Sequence, residues 1–385
     1  MQSFLKILLL HFFIYCCVLG IIAQADAATA KKPTLSWSAD VLAMDDYNPL
    51  LNAPGVRERI RQAITKKLHT LDAEGKLPFI LKEQDMDFNS IHNIDADDPI
   101  GLIPLSTLDV SFDTSYNVNG QEYYRSIVFS GLNIAICSAD PEQNSWRILG
   151  TIPLNGYDAI GADMYHLSNR PITLQEKANK FADITVRLIN EYLDFNQDKK
   201  MMRDIETKAL LPDTYQVTDV TLSSPGAQKI FAGREQFIKD VIGAFFTGSY
   251  QQKTRRIVYP PRSSGAKWKR DVITNLYTFQ ANTPSGEVTF TMEEPRHSIK
   301  LDFSGVAAHE FTTGKTRNAV TRDILYKAWL KKTPVEGREE AELTDQTIRR
   351  EIKDANSGSW IEYDRADVFT ELVIDIANKL GAQKM

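Results

Sequence analysis

The order of local patterns in this chain runs twice, and that repetition restricts the folds open to it more than any other feature. An arginine–glutamate pair opens an amphipathic segment at Arg57-Glu58 and again at Arg234-Glu235. Each is followed by Phe-Ser-Gly, in RSIVFSGL at 125–132 and in HSIKLDFSGV at 297–306, with arginine-to-phenylalanine spacings of 72 and 69 residues. Each half closes on a similar helix, FADITVRLIN at 181–190 and FTELVIDIAN at 369–378. Both begin with Phe, carry an acid third and aliphatic residues fourth, sixth and eighth, and end with Asn. Amphipathic helices resemble one another by physics alone, so the shared order and spacing carry the inference. They predict an internal duplication.

The periodicities fill in the modules. Val56, Ile60, Ile64, Leu68 and Leu71 recur at helical spacing, as do Phe181, Ile184, Leu188 and Tyr192. Thr173 and Glu176 have the spacing of a capping box. Leu108, Val110 and Phe112 alternate as in a strand, and Asn119-Gly120 predicts a hairpin turn because both residues tolerate positive φ. In the second half YQVTDVTLS reads as a strand, GREQFIKDVIGAFF as a helix, RRIVYPP as a short strand, and NLYTFQAN with EVTFTMEE as a hairpin. Two further helical stretches are expected near 318–331 and 344–355, before a last helix with Phe369, Leu372, Val373, Ile376 and Leu380 inward. The fold class is therefore α/β (α+β): two tandem modules, 26–205 and 206–385, each a mixed or antiparallel sheet covered by amphipathic helices.

The start of the chain predicts export. Lys6 precedes the apolar run ILLLHFFIYCCVLGII, and AQADAATA then offers small-x-small cleavage sites after Ala25 and Ala27. Removal of residues 1–25 takes Cys16 and Cys17 with it. Cys137 is then the only cysteine, so no intramolecular disulfide can form, and its apolar surroundings in LNIAICSAD predict a buried small side chain. The net charge of −5 argues for solubility and against a protein that binds nucleic acid over its whole surface. No transmembrane segment is expected after cleavage.

At the level of topology each half resembles small α/β domains of bacterial envelope proteins: the amino-terminal domain of TolB and the periplasmic domain of curli-secretion channels. The resemblance covers about 55–155 and 234–320. It rests on a helix followed by a short strand (LPFILKE, RRIVYPP) and on strands flanking a turn, as in NIAICSADPEQNSWRIL and GVAAHEFTTGKT. No motif diagnostic of either family is present, so the resemblance implies fold and compartment only.

Motifs that would carry chemistry are incomplete. TTGKT at 312–316 has His309 where a phosphate-binding loop needs its first glycine. Ser264 and Lys267 match S-x-x-K without its companion motifs. Asp194, Asn196 and Asp198 match the first positions of a calcium loop, but Lys199 and Ile205 stand where its glycine and glutamate belong. Asp85, Asp87, Asp95, Asp97 and Asp98 have no ligand spacing, and His69, His92, His166 and His297 are scattered. The segment NSGSWIEYDRAD at 356–367 reads as packing for the last helix. No catalytic residue, metal or cofactor is assigned.

One segment departs from the mild acidity of the whole. KTRRIVYPPRSSGAKWKR at 253–270 holds seven basic residues and no acid. Arg255, Arg256, Tyr259, Arg262, Lys267, Trp268, Lys269 and Arg270 form the candidate contact surface, with aromatic faces to accompany cationic contacts. An anionic polymer or an envelope protein is the expected partner, and nucleic acid is not. The expected function is an exported, non-catalytic binding or scaffolding protein. The alternatives are a hydrolase acting on an envelope polymer and a subunit of a surface assembly.

Overall fold

Helix α1 (Val56–Ala73) shows how the amphipathic pattern becomes structure. Val56, Ile60, Ile64, Leu68 and Leu71 are all buried, Glu58, Arg59, Arg61 and Lys66 face solvent, and the part-buried Arg57 donates to the Val41 carbonyl. The helix stops at Gly75, which takes φ 67° so that its N–H and that of Lys76 reach back to the carbonyls of Asp72 and Leu71. Glycine enters this left-handed turn without the steric cost of a Cβ. The other helices are α2 (Leu174–Phe195), α3 (Pro225–Ile230), α4 (Glu235–Thr254) and α5 (Arg365–Gly381). The computed structural model describes residues 34–38, 40–44, 48–77, 80–82, 100–118, 121–140, 145–161, 168–195, 214–254, 256–262, 268–270, 276–283, 286–315, 319–334, 341–354 and 365–383. The expected leader, the Asn119-Gly120 turn, the acidic stretch at 83–98, Ser264, Lys267, the cluster at 356–364 and the 205/206 boundary lie outside them. No helix among the described residues is long and apolar enough to cross a membrane.

Fourteen strands join in one mixed sheet. The first half contributes β1 (Thr34–Trp37), β2 (Leu42–Ala43), β3 (Ile80–Lys82), β4 (Ile100–Val118), β5 (Gln121–Asp140) and β6 (Ser145–Ile160). The second contributes β7 (Thr214–Thr221), β8 (Ile257–Val258), β9 (Lys269–Arg270), β10 (Tyr277–Thr283), β11 (Gly286–Met292), β12 (His297–Lys315), β13 (Ala319–Pro334) and β14 (Ala341–Asp354). The halves share part of their connectivity, the second carrying α3 and the strands β9, β10 and β11 in addition. β1 lies between β3 and β4 and is parallel to both, and β7 lies between β8 and β12 and is parallel to both. From there each half runs through a long antiparallel meander, β4–β5–β6 or β12–β13–β14, and ends in a helix, α2 or α5.

Two expectations change. The stretches near 318–331 and 344–355 are not helices but β13 and β14. In β13 the buried apolar residues are Ile324, Tyr326, Ala328 and Leu330, a period of two that the apolar Leu325 and Trp329 between them obscured. The Phe-Ser-Gly tripeptides also fall on different strands, Phe129 on β5 and Phe303 on β12, the second and first strands of their meanders. Their likeness has a local cause. Each meander shifts register by one residue between its first two strands, at Ser106/Leu108 and at Phe303/Gly305. A glycine sits at each shift, Gly131 facing Leu108 and Gly305 facing Trp329. A Cβ at Gly131 would come within 2.6 Å of the Leu108 Cβ, and one at Gly305 within 2.8 Å of the Trp329 ring. The TTGKT segment likewise lies mostly within β12, ahead of a strand and not a helix.

The layers explain why the halves do not separate. Helices α1 and α2 cover one face of the first meander through Phe181, Ile184, Val128, Leu132 and Ile134. The opposite face, with Leu108, Phe112, Ile127 and Phe129, packs on α4 and α5 of the second half. Those helices in turn cover one face of β12 and β13 through Phe303, Tyr326, Phe369 and Val373. The hairpin β10–β11 adds a second bond between halves. β11 pairs with β6 and β10 with β2, which closes a ring of pairings through β4, β5, β6, β11, β10 and β2. Ile103, Leu105, Ala135, Trp146, Phe279 and Phe290 fill its interior. Cys137 is buried there with no disulfide, and burial pushes its thiol pKa up, which keeps it protonated and inert.

Candidate functional site

The basic segment begins where α4 ends and turns back across β7. Its course makes most of the side chains structural. The N–H groups of Tyr259 and Arg262 bond the carbonyls of Tyr215 and Val217. Tyr259 is buried against the ring of strands, and that burial pushes its hydroxyl pKa up to about 12. Arg256 hydrogen-bonds the Tyr215 hydroxyl and stands 4.7 Å above that ring, which stacks in turn on His297 at 4.5 Å. Arg262 donates to Gln216 Oε1 at 2.9 Å and lies 4.3 Å over Tyr277. Trp268 is half-buried and packs on Phe279. The aromatic faces expected to be offered to a partner are therefore turned inward, because two prolines carry the chain over an apolar floor. Lys269 is exposed, and Arg270 is exposed with Glu294 at 3.0 Å. Arg255 and Lys267 lie outside the described residues.

A second group of charges gathers where the first meander meets α5. Arg125 on β5 bonds Asp367 in the first turn of α5 and also Glu371 at 3.0 Å, and Arg349 on β14 meets Glu371 from the other side. The Tyr116 hydroxyl donates to Asp367 at 2.7 Å. Burial raises the Asp367 pKa, against the pull of Arg125 and Tyr116. Burial opposes the charge on Arg125 as well, but its two acids more than restore it. Burial and the neighbouring carboxylate push the Tyr116 hydroxyl well above its ordinary range. Every ion here has a counter-ion from another element, which is the arrangement of a structural junction.

Beside this junction a cleft of about 390 Å³ opens between β4 and the start of α4. Phe112 and Phe237 stack at 5.4 Å on its floor, and Arg234 lies 4.6 Å over Phe112. Asp113 at its rim is engaged by Ser126 at 2.6 Å and Lys177 at 2.8 Å. The cleft holds no histidine, cysteine or lysine poised as a base or nucleophile. Among the described residues no three His, Cys, Asp or Glu side chains gather to hold a metal ion.

The surface without a counterpart in the first half is the outer face of β12–β13–β14. Residues paired directly across strands share a face, so Phe311, Asp323 and Arg350 form one row, and His309, Leu325 and Ile348 the next. Ala307, Lys327 and Gln346 follow, then Gly305, Trp329 and Thr344. Phe311 is 44% exposed, and Ile348 at 57% is the most exposed large apolar side chain among the described residues. Leu325 is half-buried between them, and Trp329 is half-buried two rows beyond Ile348. Arg350 holds Asp323 through two bonds of 2.8 and 3.1 Å, which lowers the carboxyl pKa and fixes one border of the patch as a charged pair. Neither a protein-family model nor a curated protein sequence matches the chain. The expected helices at 318–331 and 344–355 concealed this face, although alternation in TRDILYKAWL carries its signal.

Proposed function

We propose that the protein is an exported, non-catalytic binding or scaffolding module of the cell envelope, with the outer face of β12–β13–β14 as its contact surface. One observation carries the reading. The first meander has both faces covered by packed helices or strands, whereas the corresponding face of the second leaves Phe311 and Ile348 in solvent. Contiguous exposed apolar residues bordered by charges are the composition of an association surface. A partner of mixed apolar and polar character, such as another envelope protein, fits it better than a purely anionic polymer. The leader-type start of the chain supports export. The partly shared strand connectivity supports descent of both modules from one duplicated unit. Cosedimentation of the mature chain with envelope fractions tests the reading. Phe311→Asp should abolish most of the bound fraction while the circular dichroism spectrum stays unchanged. Equal binding by both proteins, or no binding by either, overturns it.

A further inference from the structure

β14 offers more than a face. It ends the sheet, and among the described residues its backbone pairs with β13 alone over all fourteen residues. The opposite end of the sheet is β3, with three residues. A long edge is a template for another strand, and proteins usually guard one with charged side chains, a bulge or a proline. β14 has no bulge and no proline, and its charges are of both signs, so they can pair as well as repel. Its register with β13 runs from Ala319↔Asp354 to Lys332↔Ala341 without a shift, whereas β12 and β13 shift twice.

The residues along this edge are complementary to themselves. An antiparallel copy of β14 centred on Gln346 sets Glu342 opposite Arg350, Leu343 opposite Arg349, Thr344 opposite Ile348 and Asp345 opposite Thr347. No like charges meet across this span, and the Glu342–Arg350 pair occurs twice. Centring one residue earlier would set Asp345 against itself. The two-fold axis of such a pair is normal to the sheet, so the outer faces of both copies lie on the same side. Ile348, half of its surface in solvent, then gains a neighbour, and the two apolar patches merge. Occupancy by a strand of a different protein would have no reason to carry this symmetry. We infer that β14 is a self-pairing edge through which two copies of the chain join antiparallel about Gln346 into one continuous sheet. This rests on the edge and its sequence, independently of what the outer face binds.

The experiment follows the mass of the mature chain in solution. The wild type should have twice the monomer mass at micromolar concentration. Gln346→Lys places two ammonium groups opposite each other on the axis and should return the mass to that of a monomer, with the circular dichroism spectrum of the folded chain unchanged because Gln346 is exposed. Gln346→Cys should form a disulfide-linked dimer on mild oxidation, since opposite residues of antiparallel strands lie within disulfide reach and Cys137 is buried. Thr344→Cys, displaced from the axis, should not. A monomeric wild type overturns the inference, whether or not another protein's strand binds there. So does a Gln346→Lys dimer, or equal crosslinking at 344 and 346.

Discussion

Phe129 and Phe311 occupy corresponding surroundings with opposite outcomes. Each stands on a long meander strand, on the face turned away from the helices of its own half. Phe129 is fully buried, enclosed by Phe237, Phe245 and Tyr157. Phe311 is 44% exposed. The difference lies in what is stacked next. The sheet of the first half receives the helices of the second half as a further layer, and the second half is the last layer of the stack. Similar meanders therefore end with different exposure, one enclosed on both faces and one with a face in solvent. Position in the stack, and not the strand pattern alone, decides which sheet face is covered.

The largest expected effect comes from unlocking the layers. Arg125→Ala would leave Asp367 and Glu371 without their shared cation in a buried setting. A loss of about 3–5 kcal/mol is expected, the usual consequence of removing one partner of a buried pair. Chemical denaturation measures it. Replacing Arg125 with Met and Asp367 with Leu together should recover most of the loss, since matched apolar groups remove the unpaired charge. If Arg125→Ala alone costs almost nothing, the junction does not hold the two halves together.

Truncating the two phenylalanines compares the faces directly. Phe129→Ala should cost about 3–5 kcal/mol, as for large aromatic side chains in cores. Phe311→Ala should stay within about 0.5 kcal/mol of wild type, as exposed positions do. Comparable losses at both positions would mean that the outer face of the second meander is covered in solution.

Much of this architecture was legible before the structure. Helical spacing gave the buried stripe of α1 residue for residue, and the hairpin β10–β11 and the strand–helix–short strand order of each half followed from alternation and breaker residues. The two misread strands share a cause. In β13 the apolar Leu325 and Trp329 stand between the buried residues, and in β14 charged residues fall on both faces, as Asp345 and Arg349 on one and Glu342 and Arg350 on the other. Helical and strand periods then compete within one window. The basic segment is expected as a contact surface because charge is visible in composition. Whether Arg256 and Arg262 are free or resting on Tyr215 and Tyr277 depends on chain segments far apart in sequence, which no local pattern reports. The two Phe-Ser-Gly tripeptides are not equivalent: each meander has a glycine beside a register shift, and the two glycines stand on different strands.

That glycine gives the next comparison. At Gly131 a methyl group would meet the Leu108 Cβ, which is fixed to its backbone, and the Asn155 side chain, both inside the stack. Gly131→Ala should cost about 1–3 kcal/mol as overpacking. At Gly305 the obstacle is the Trp329 ring on the open face, which can swing outward. Gly305→Ala should cost less than Gly131→Ala, and thermal unfolding of the two variants side by side decides it. A larger loss at Gly305 would show that Trp329 is clamped by something lying over it.

The smallest effect concerns the helices that close the two halves. The third residue of α2 is Glu176 and the third residue of α5 is Asp367, and each faces an arginine. Their surroundings drive their pKa values in opposite directions. Glu176 is exposed, and bonds from Arg170 and from the backbone and hydroxyl of Thr173 hold its carboxyl down at about 2. Asp367 is buried, and desolvation raises it. For Glu176 the folded pKa lies below the ordinary 4.5, so its contribution is fully present above that pH and is lost as pH falls through about 2. For Asp367 the sign reverses: the cost of burying its charge is relieved as the pH falls through its raised folded-state value. Solvent screens the Glu176 pair, so its contribution is about 0.5 kcal/mol or less. Glu176→Gln should lower stability slightly at neutral pH, and the gap to wild type should close on acidification toward pH 2 and narrow in high salt. A gap that widens with acid would mean that the first turn of α2 is held by contacts other than this capping box, and that the two closing helices differ in more than their burial.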